Sequence, residues 1–518
     1  METLSTASPS CPYYRHAVAL LFTVPAMGGL LFGYDIGATS FAIVQLMRDP
    51  AASGASFTLA NAPIWTGMVV SAPSVGALIG TAIVFVVAES MGRRLELRVG
   101  GILYIAGTFL EMLAARVSVG GLALMILIAA RIVYGTGIGF AMHAAPAFLG
   151  EVMPPSIRGA VVSGKEVFIV CGMLFGYMIG YCYKDNYRGW ASTFSAALLP
   201  SAIMILMSYF IPDSPRWLAS HKRDDEALQA LMFVWKPEHA KAEHDILIEA
   251  RQEREREQFT SRNNIQSNPF TILFSAPTYK AALTAGVGLV VLQQVTGQPS
   301  VLSYATPILI SAGLSSYASV IVAFFKVLAT LLAVVLVEHS GRKRLLTTGC
   351  VLMLFALIIL TVTFHGSNYS TSTSDDRRAK SVNKLDVRSI FTLIGMFVYI
   401  AGYQVGFGPL SWLIIAEVFP QSIRGPAVAF AVQTNFLLNA IVQFAVPLLE
   451  QQFGLSFMFA TFGLITAYSI YFVHSKVPET RGLTLEEIEE KLGSMAGGTT
   501  RLRRLTSDEE KVQLITSP

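Results

Sequence analysis

Apolar stretches of about 20 residues or more, long enough to cross a bilayer, recur twelve times along this 518-residue chain and leave little sequence outside them. Read between charged or Gly/Pro-rich breaks, they fall at 17–44, 64–88, 97–115, 121–146, 160–182, 191–211, 280–311, 317–338, 345–365, 390–416, 426–449 and 455–475. Hydrocarbon offers backbone N–H and C=O groups no partner, so spans of this length fold as helices. The expected fold class is an all-α membrane protein of twelve transmembrane helices. Charged residues make up 14% of the chain, against roughly 25% in soluble domains, and the mean hydropathy is +0.54. The net charge of +4 forms no dense basic patch interleaved with aromatics, so nucleic acid is not an expected partner. Cys11, Cys171, Cys182 and Cys350 lack metal-ligand spacing, and no disulfide framework, metal or cofactor is expected. The first 16 residues are polar and carry no charged n-region with a cleavage site, so no secretory signal peptide is expected.

Two motifs recur half a chain apart. Gly92-Arg93-Arg94 follows the second span and Gly341-Arg342-Lys343 the eighth; Glu151-Val-Met-Pro-Pro-Ser-Ile-Arg158-Gly159 follows the fourth and Glu417-Val-Phe-Pro-Gln-Ser-Ile-Arg424-Gly425 the tenth. Equivalent motifs in equivalent places mark two pseudo-symmetric six-helix halves. The expected divisions are an N-terminal segment (1–16), a first half (17–212), a linker (213–278), a second half (279–476) and a polar, solvated tail (477–518). Within the linker, 222–258 is charged and helix-friendly and reads as short helices on the membrane surface, with a disordered linker as the alternative. The polar stretch 366–389 has no counterpart in the first half. Loops after even-numbered spans hold most basic residues, among them Arg93, Arg94, Arg98, Arg158, Arg216, Arg342, Lys343, Arg344 and Arg424; 377–388 is the exception. By the positive-inside rule both termini, the linker and the tail face the cytosol.

The polar residues inside the spans carry the functional argument. Asp35 lies in GGLLFGYDIG (28–37), within the first span. A carboxylate there costs on the order of 3 kcal/mol on insertion scales, so it implies a cation partner, a wet cavity or a role in moving protons or solutes. Arg131 in the fourth span is the obvious cation in the same half. Pairing of the two ties the protonation of Asp35 to conformation; the alternative is a static pair that holds helices together. Gln293 and Gln294 are adjacent amides in the seventh span, suited to a wet cavity or, alternatively, to interhelical hydrogen bonding. Gly297 with Pro299, and Gly402, Gly406 and Gly408 with Pro409, weaken helix hydrogen bonding where a gate would need it, and Tyr304 is placed to cap the site from the outer side. His143 reads as a packed histidine, with a second proton relay as the alternative. Gly135-Thr-Gly137-Ile-Gly139 follows no strand and reads as close helix packing, not a phosphate loop. No covalent-catalysis triad is found, and no enzyme activity is expected.

Together, GGLLFGYDIG, the Gly-Arg-Arg/Lys repeats, Pro212-Asp-Ser-Pro-Arg-Trp217, Gln293-Gln294 and Pro478-Glu-Thr-Arg-Gly482 resemble the sugar porters of the major facilitator superfamily over about residues 17–490. Met142-His-Ala-Ala-Pro146, Lys165-Glu-Val-Phe-Ile169, Gln293-Gln-Val-Thr-Gly-Gln-Pro-Ser-Val301 and Thr434-Asn435 are similar to the plant vacuolar glucose transporter, or xylose–proton symporter-like, group, whose first-span acid is usually Glu. The resemblance implies proton coupling at Asp35 and Arg131, and sugar contacts at Gln293, Gln294, Trp412, Asn435 and Asn439, with Gln404 and Tyr403 nearby. Three positions depart from the family pattern: Glu166 stands for a Gln, Lys326 for an Asn, and Pro299, beside Gln298, for another Asn. Glu166 and Lys326 are expected to pair across the central cavity, contact sugar hydroxyls and make Glu166 a second titrating group; snorkelling to an interface is the alternative. The resemblance also implies that Arg93, Glu151 and Arg158 in one half, and Glu338, Arg342, Glu417 and Arg424 in the other, form an ion-pair latch that favours the outward-open state and breaks on inward opening, to which Asp213, Arg216 and Glu479 tie the surface helices; plain positive-inside anchors are the alternative.

The function so implied is transport of a monosaccharide (glucose or another hexose, or xylose) with a proton by alternating access, by a monomer in a lipid bilayer. A facilitator without proton coupling, a transporter-like sugar sensor and a membrane-embedded enzyme are the alternatives. The resemblance points to a vacuolar or plastid membrane, with the plasma membrane left open. Which sugar is carried is a matter of cavity geometry.

Overall fold

The structure, a computed structural model, describes residues 12–261, 274, 277–366, 386–420, 423–481, 483 and 485–495. Among these, ten helical stretches are long and apolar enough to cross a bilayer. The first six spans are Arg15–Leu46, Pro63–Met91, Arg93–Ala114, Gly120–Val152, Pro155–Cys182 and Gly189–Ser208. The eighth to tenth are Tyr317–His339, Arg342–Phe364 and Val387–Val418. Three further crossings complete the twelve. The seventh is divided into Pro277–Val295, Gln298–Ser303 and Ala305–Ser311. The continuous stretch Arg424–Lys476 turns at Gly454 (φ 80°) and supplies both the eleventh and the twelfth. The protein is therefore a twelve-helix, multi-pass membrane protein, and large apolar side chains such as Val86, Leu199, Val362 and Leu464 stay exposed, as a lipid-facing surface requires.

Each half has its own apolar core, and the second half's core extends into the first. Phe41, Ile43, Val70, Met173 and Tyr177, from spans one, two and five, pack with the second-half cluster. Spans one and five meet through glycines: a Cβ on Gly33 would overlap the Ile169 carbonyl, so only glycine permits this backbone approach. Three contacts tie the halves at the ends of these spans remote from the termini. Ser40 Oγ donates to Thr306 Oγ1 (2.9 Å) and accepts from the Thr306 N–H (3.0 Å), and Tyr177 OH donates to the Leu302 carbonyl (2.5 Å). Tyr181 and Tyr317 pack their rings nearby, centroids 5.4 Å apart and planes inclined at 60°. These contacts close the molecule at this end, which the positive-inside expectation places on the outer side.

At the cytosolic end the linker forms helices Pro215–Ser220, Asp224–Val234 and Pro237–Ser261. The motif Pro212–Trp217 starts the first of them: Ser214 Oγ accepts from the Trp217 N–H (3.3 Å) and Pro215 occupies the first turn. Asp213 Oδ1 accepts from the Arg94 N–H (3.1 Å), which ties the linker to span three. The beginning of the tail differs from the solvated segment expected. Leu485–Met495 is helical, and Ile488 and Leu492, four residues apart and so on one face, are buried against the second-half core. The expected polar insertion lies almost entirely at 367–385, and the end of the tail at 496–518; both are outside the described residues.

Candidate functional site

Arg131 is fully buried at the middle of the first half. Its Nη2 donates to Asp35 Oδ2 (3.2 Å) and Thr39 Oγ1 (2.6 Å), its Nη1 lies 3.2 Å from Asp35 Oδ1, and the guanidinium sits 4.9 Å above the Phe194 ring. Nε donates to the Val69 carbonyl (2.7 Å). That carbonyl is free because Pro73, four residues on in span two, has no N–H to offer it. The expected Asp35–Arg131 proximity is thus present, with a second carboxylate that the sequence reading missed: Glu111 Oε1 in span three lies 3.5 Å from Arg131 Nη1. The signal was available, since Glu111 is a charged residue in an apolar stretch just as Asp35 is.

Asp35 opens onto a cavity between the halves, lined also by Phe32, Thr39, Val70, Ser74, Ser303, Phe436 and Gln443. Beyond it lies a chain of amides. Gln294 Nε2 donates to Asn435 Oδ1 (2.6 Å), and Gln294 Oε1 accepts from Asn439 Nδ2 (3.1 Å). Asn439 Oδ1 accepts from Gln443 Nε2 (2.7 Å) and, across the halves, from Ser74 Oγ (2.8 Å). Gln293 Nε2 donates to Tyr403 OH (3.0 Å) and the Phe407 carbonyl (3.1 Å), while its buried Oε1 has no partner. Groups that both donate and accept, with a buried acceptor left open, suit polyhydroxyl ligands. Trp412 is half-buried at the edge of the second-half core. Gln298 is buried in the first turn after the break. Gln404 is packed away, fully buried and donating to Thr330 Oγ1 (2.6 Å) between spans eight and ten.

The two broken spans flank this array. In span seven Gly297 takes φ 89°, and Pro299 begins the next helical turn. Tyr304 marks the second break; its OH donates to the Gln443 carbonyl (3.2 Å), which Pro447 leaves without a helical donor. Span ten breaks at Gly406 (φ −98°, ψ −102°), whereas Gly408 and Pro409, the expected gate, lie in the first turn of the following helix. Pro409 withdraws the donor that the Val405 carbonyl would need, and Gly406, pressed against Gly349, absorbs the change of direction.

Glu166 and Lys326 do not form the expected ion pair. Lys326 is buried with its Nζ 5.8 Å from the Tyr403 ring centroid, and among the described residues no carboxylate is within ion-pair distance of it. Glu166 is half-buried between spans, within electrostatic reach of Lys326 and of its neighbour Lys165. In this conformation the halves hold the two charges apart.

The cytosolic motifs form matching sets. Arg93 pairs with Glu151 (3.3 Å) and with buried Glu96 (3.0 Å), and Arg342 pairs with Glu417 (3.3 Å). Arg158 and Arg424 donate to the Met153 and Phe419 carbonyls. Glu479 accepts from the Arg342 N–H (2.9 Å) and Lys343 N–H (3.2 Å), as Asp213 does in the first half. Arg216 is exposed, and the Glu338 side chain lies outside the described residues. Of the latch expected to break on inward opening, Arg93–Glu151 and Arg342–Glu417 are formed in this conformation, each joining neighbouring spans of one half. His143 Nδ1 lies 3.0 Å from Glu96 Oε2, extending the first-half set.

Residues 21–492 match the family model described as sugar (and other) transporter. The chain belongs to the sugar transporter family. Members similar to it include "D-xylose-proton symporter-like 3, chloroplastic" of Arabidopsis thaliana, 38% identical over 95% of this chain and 85% of that one. "D-xylose-proton symporter-like 2" of the same plant is 36% identical over 92% and 91%. "D-xylose transporter" of Levilactobacillus brevis is 31% identical over 91% and 95%. Among solved structures, the E. coli xylose transporter XylE in a partially occluded inward-open conformation superposes with a TM-score of 0.72 at 24% identity, over 90% of this chain and all of that one. That likeness is one of fold.

Proposed function

We propose that this chain moves a monosaccharide, a hexose such as glucose or a pentose such as xylose, together with a proton by alternating access. The observation that carries this reading is the placement of Asp35: it is ion-paired to a buried arginine and borders the same cavity as Ser74 and Gln443, which are bonded to the Asn439–Gln294 amide chain. A proton entering from the cavity reaches the Asp35 carboxylate and weakens its hold on Arg131, and so on Thr39 and the Val69 carbonyl of span two. Sugar hydroxyls exchange with the amides and the open Gln293 Oε1, some of which belong to bonds that span the halves. Both ligands therefore act on contacts that differ between the two closures, which is what coupling requires. Names of relatives such as "D-xylose-proton symporter-like 2" and "Glucose transporter GlcP" support the ligand class.

Purified chain in proteoliposomes tests this. An imposed pH gradient drives labelled sugar above its equilibrium level, and Asp35→Asn abolishes the accumulation while leaving sugar exchange. Equilibration alone, insensitive to Asp35→Asn, would overturn the symport reading in favour of a facilitator. The site lies between the two halves of one chain, so a monomer suffices. A plastid or vacuolar membrane is the proposed location, supported by the plastid relative and tested by imaging a fluorescent fusion.

A further inference from the structure

Glu111 has no part in the coupling just described, yet it sits on the other side of the same guanidinium. Arg131 Nη1 lies between Asp35 Oδ1 at 3.2 Å and Glu111 Oε1 at 3.5 Å. Neither Nη1 nor Glu111 Oε1 has a hydrogen-bond partner. Moving them together by roughly 0.6–0.8 Å would give the 2.7–2.9 Å of a charge-assisted bond. The two carboxylates differ in one respect that matters: the Asp35 side chain is 9% exposed and lines the cavity, whereas Glu111 is 2% exposed and does not. One carboxylate can exchange a proton with the pathway; the other is sealed behind Arg131.

We propose that Glu111 is the standby counter-ion of Arg131, taking over the guanidinium each time Asp35 is protonated. This rests on the symport reading and deepens it. With both carboxylates ionised the cluster carries one excess negative charge; one proton on Asp35 leaves a neutral Arg131–Glu111 pair. Without Glu111 the same proton would leave a buried guanidinium with no counter-charge, which is strongly unfavourable. Glu111 therefore makes proton uptake by Asp35 affordable without removing Arg131 from the protein interior. The other ionisable groups around the cluster are Tyr34 on span one, Tyr104 on span three, Tyr134 on span four, Tyr304 on span seven and, beyond the end of span five, Tyr183. Four of them are engaged with carbonyls: Tyr34 donates to Thr193, Tyr104 to Gly28 (3.3 Å), Tyr134 to Leu31 (3.0 Å) and Tyr304 to Gln443 (3.2 Å). Span six presents Thr193 and Phe194, which carry no charge. Arg131 is the cation that the carboxylates share. Glu111 is thus a positioning residue, acting on the proton through Arg131.

The test is the pH profile of proton-driven sugar uptake by the full-length chain in proteoliposomes. Glu111→Gln removes the standby charge at nearly constant volume. Its half-maximal pH is expected to move to the acid side by about one unit or more, a tenfold loss of proton affinity per unit, while sugar exchange at the new optimum persists. Glu111→Asp, which withdraws the carboxylate by one methylene, is expected to move the profile less and in the same direction. It decides the matter if Glu111→Gln does not fold. In Asp35→Asn/Glu111→Gln, Arg131 loses both counter-charges, and exchange is expected to fall by more than the product of the single effects. A profile that stays in place or moves to the alkaline side in the folded variant would overturn the role of Glu111. That failure is distinct from failure of symport itself, which is signalled by uphill accumulation surviving in Asp35→Asn.

Discussion

The outer closure rests on few bonds, and this makes its strength measurable. In Ser40→Ala/Tyr177→Phe the halves lose the Ser40–Thr306 and Tyr177–Leu302 contacts. Thr306 is the second residue of Ala305–Ser311, so its N–H has no intrahelical acceptor, and Ser40 acts as an N-cap supplied by the opposite half. Removal of a cap costs typically about 1 kcal/mol. The Tyr177 hydroxyl adds about 1 kcal/mol, and the Leu302 carbonyl, left with only the Tyr304 N–H in reach, up to roughly 1 more. In the outward-open state these groups meet water and nothing is lost. The variant should therefore shift the equilibrium from outer-closed towards outer-open by roughly 2–3 kcal/mol, about 30- to 150-fold. Spin labels at Asp185 and Ser315, on exposed outer loops of the two halves, would report it by pulsed EPR after replacement of the native cysteines. A long-distance population should appear or grow. An unchanged distribution, or one shifted to shorter distances, would refute the claim that these contacts hold the outer side shut.

Two other substitutions probe the site directly. Gln294→Ala removes the amide that joins Asn435 to Asn439, and sugar affinity measured by calorimetry should fall by about 1–3 kcal/mol, ten- to over a hundredfold, with the fold retained. Lys326→Met replaces a buried ammonium that has no carboxylate at ion-pair distance; thermal unfolding in detergent should move up while sugar uptake falls, since replacing a poorly paired buried charge by apolar volume is often neutral or stabilising. A destabilised but active Lys326→Met would show instead that Lys326 is paired in the dominant state and is not needed by the substrate.

Much of the fold was legible because a bilayer imposes a one-dimensional test on a sequence. Stretches of sufficient length and hydropathy are helices whatever they pack against, so the twelve spans and the motif repeat could be read without tertiary information. The site was legible where cost gave it away: Asp35, Arg131 and the Gln293-Gln294 amides are expensive in hydrocarbon and therefore conspicuous. Gln404 was conspicuous for the same reason, but its amide is spent on Thr330 between helices. Cost identifies a polar residue and does not say which way it faces. The gate illustrates the same limit. Glycine and proline marked span ten as breakable, but the choice of Gly406 over Gly408 followed from its contact with Gly349. In the tail, Ile488 and Leu492 were two apolar residues in a polar context, and only the groove that receives them makes their spacing meaningful.

The sequence by itself determined that this chain is a twelve-helix membrane protein with a repeated pair of basic motifs and an Asp35 in need of a cation. Hydropathy, charge and repeats act locally along the chain, which is why they suffice. Only the tertiary structure decided that Arg131 is shared with Glu111, that Pro73 frees the Val69 carbonyl for it, that Glu166 and Lys326 stand apart, and that the outer end is the closed one. Each of these depends on the rotation of one helix against another, and a uniform hydrocarbon solvent leaves that rotation to side-chain packing and hydrogen bonding between the helices themselves.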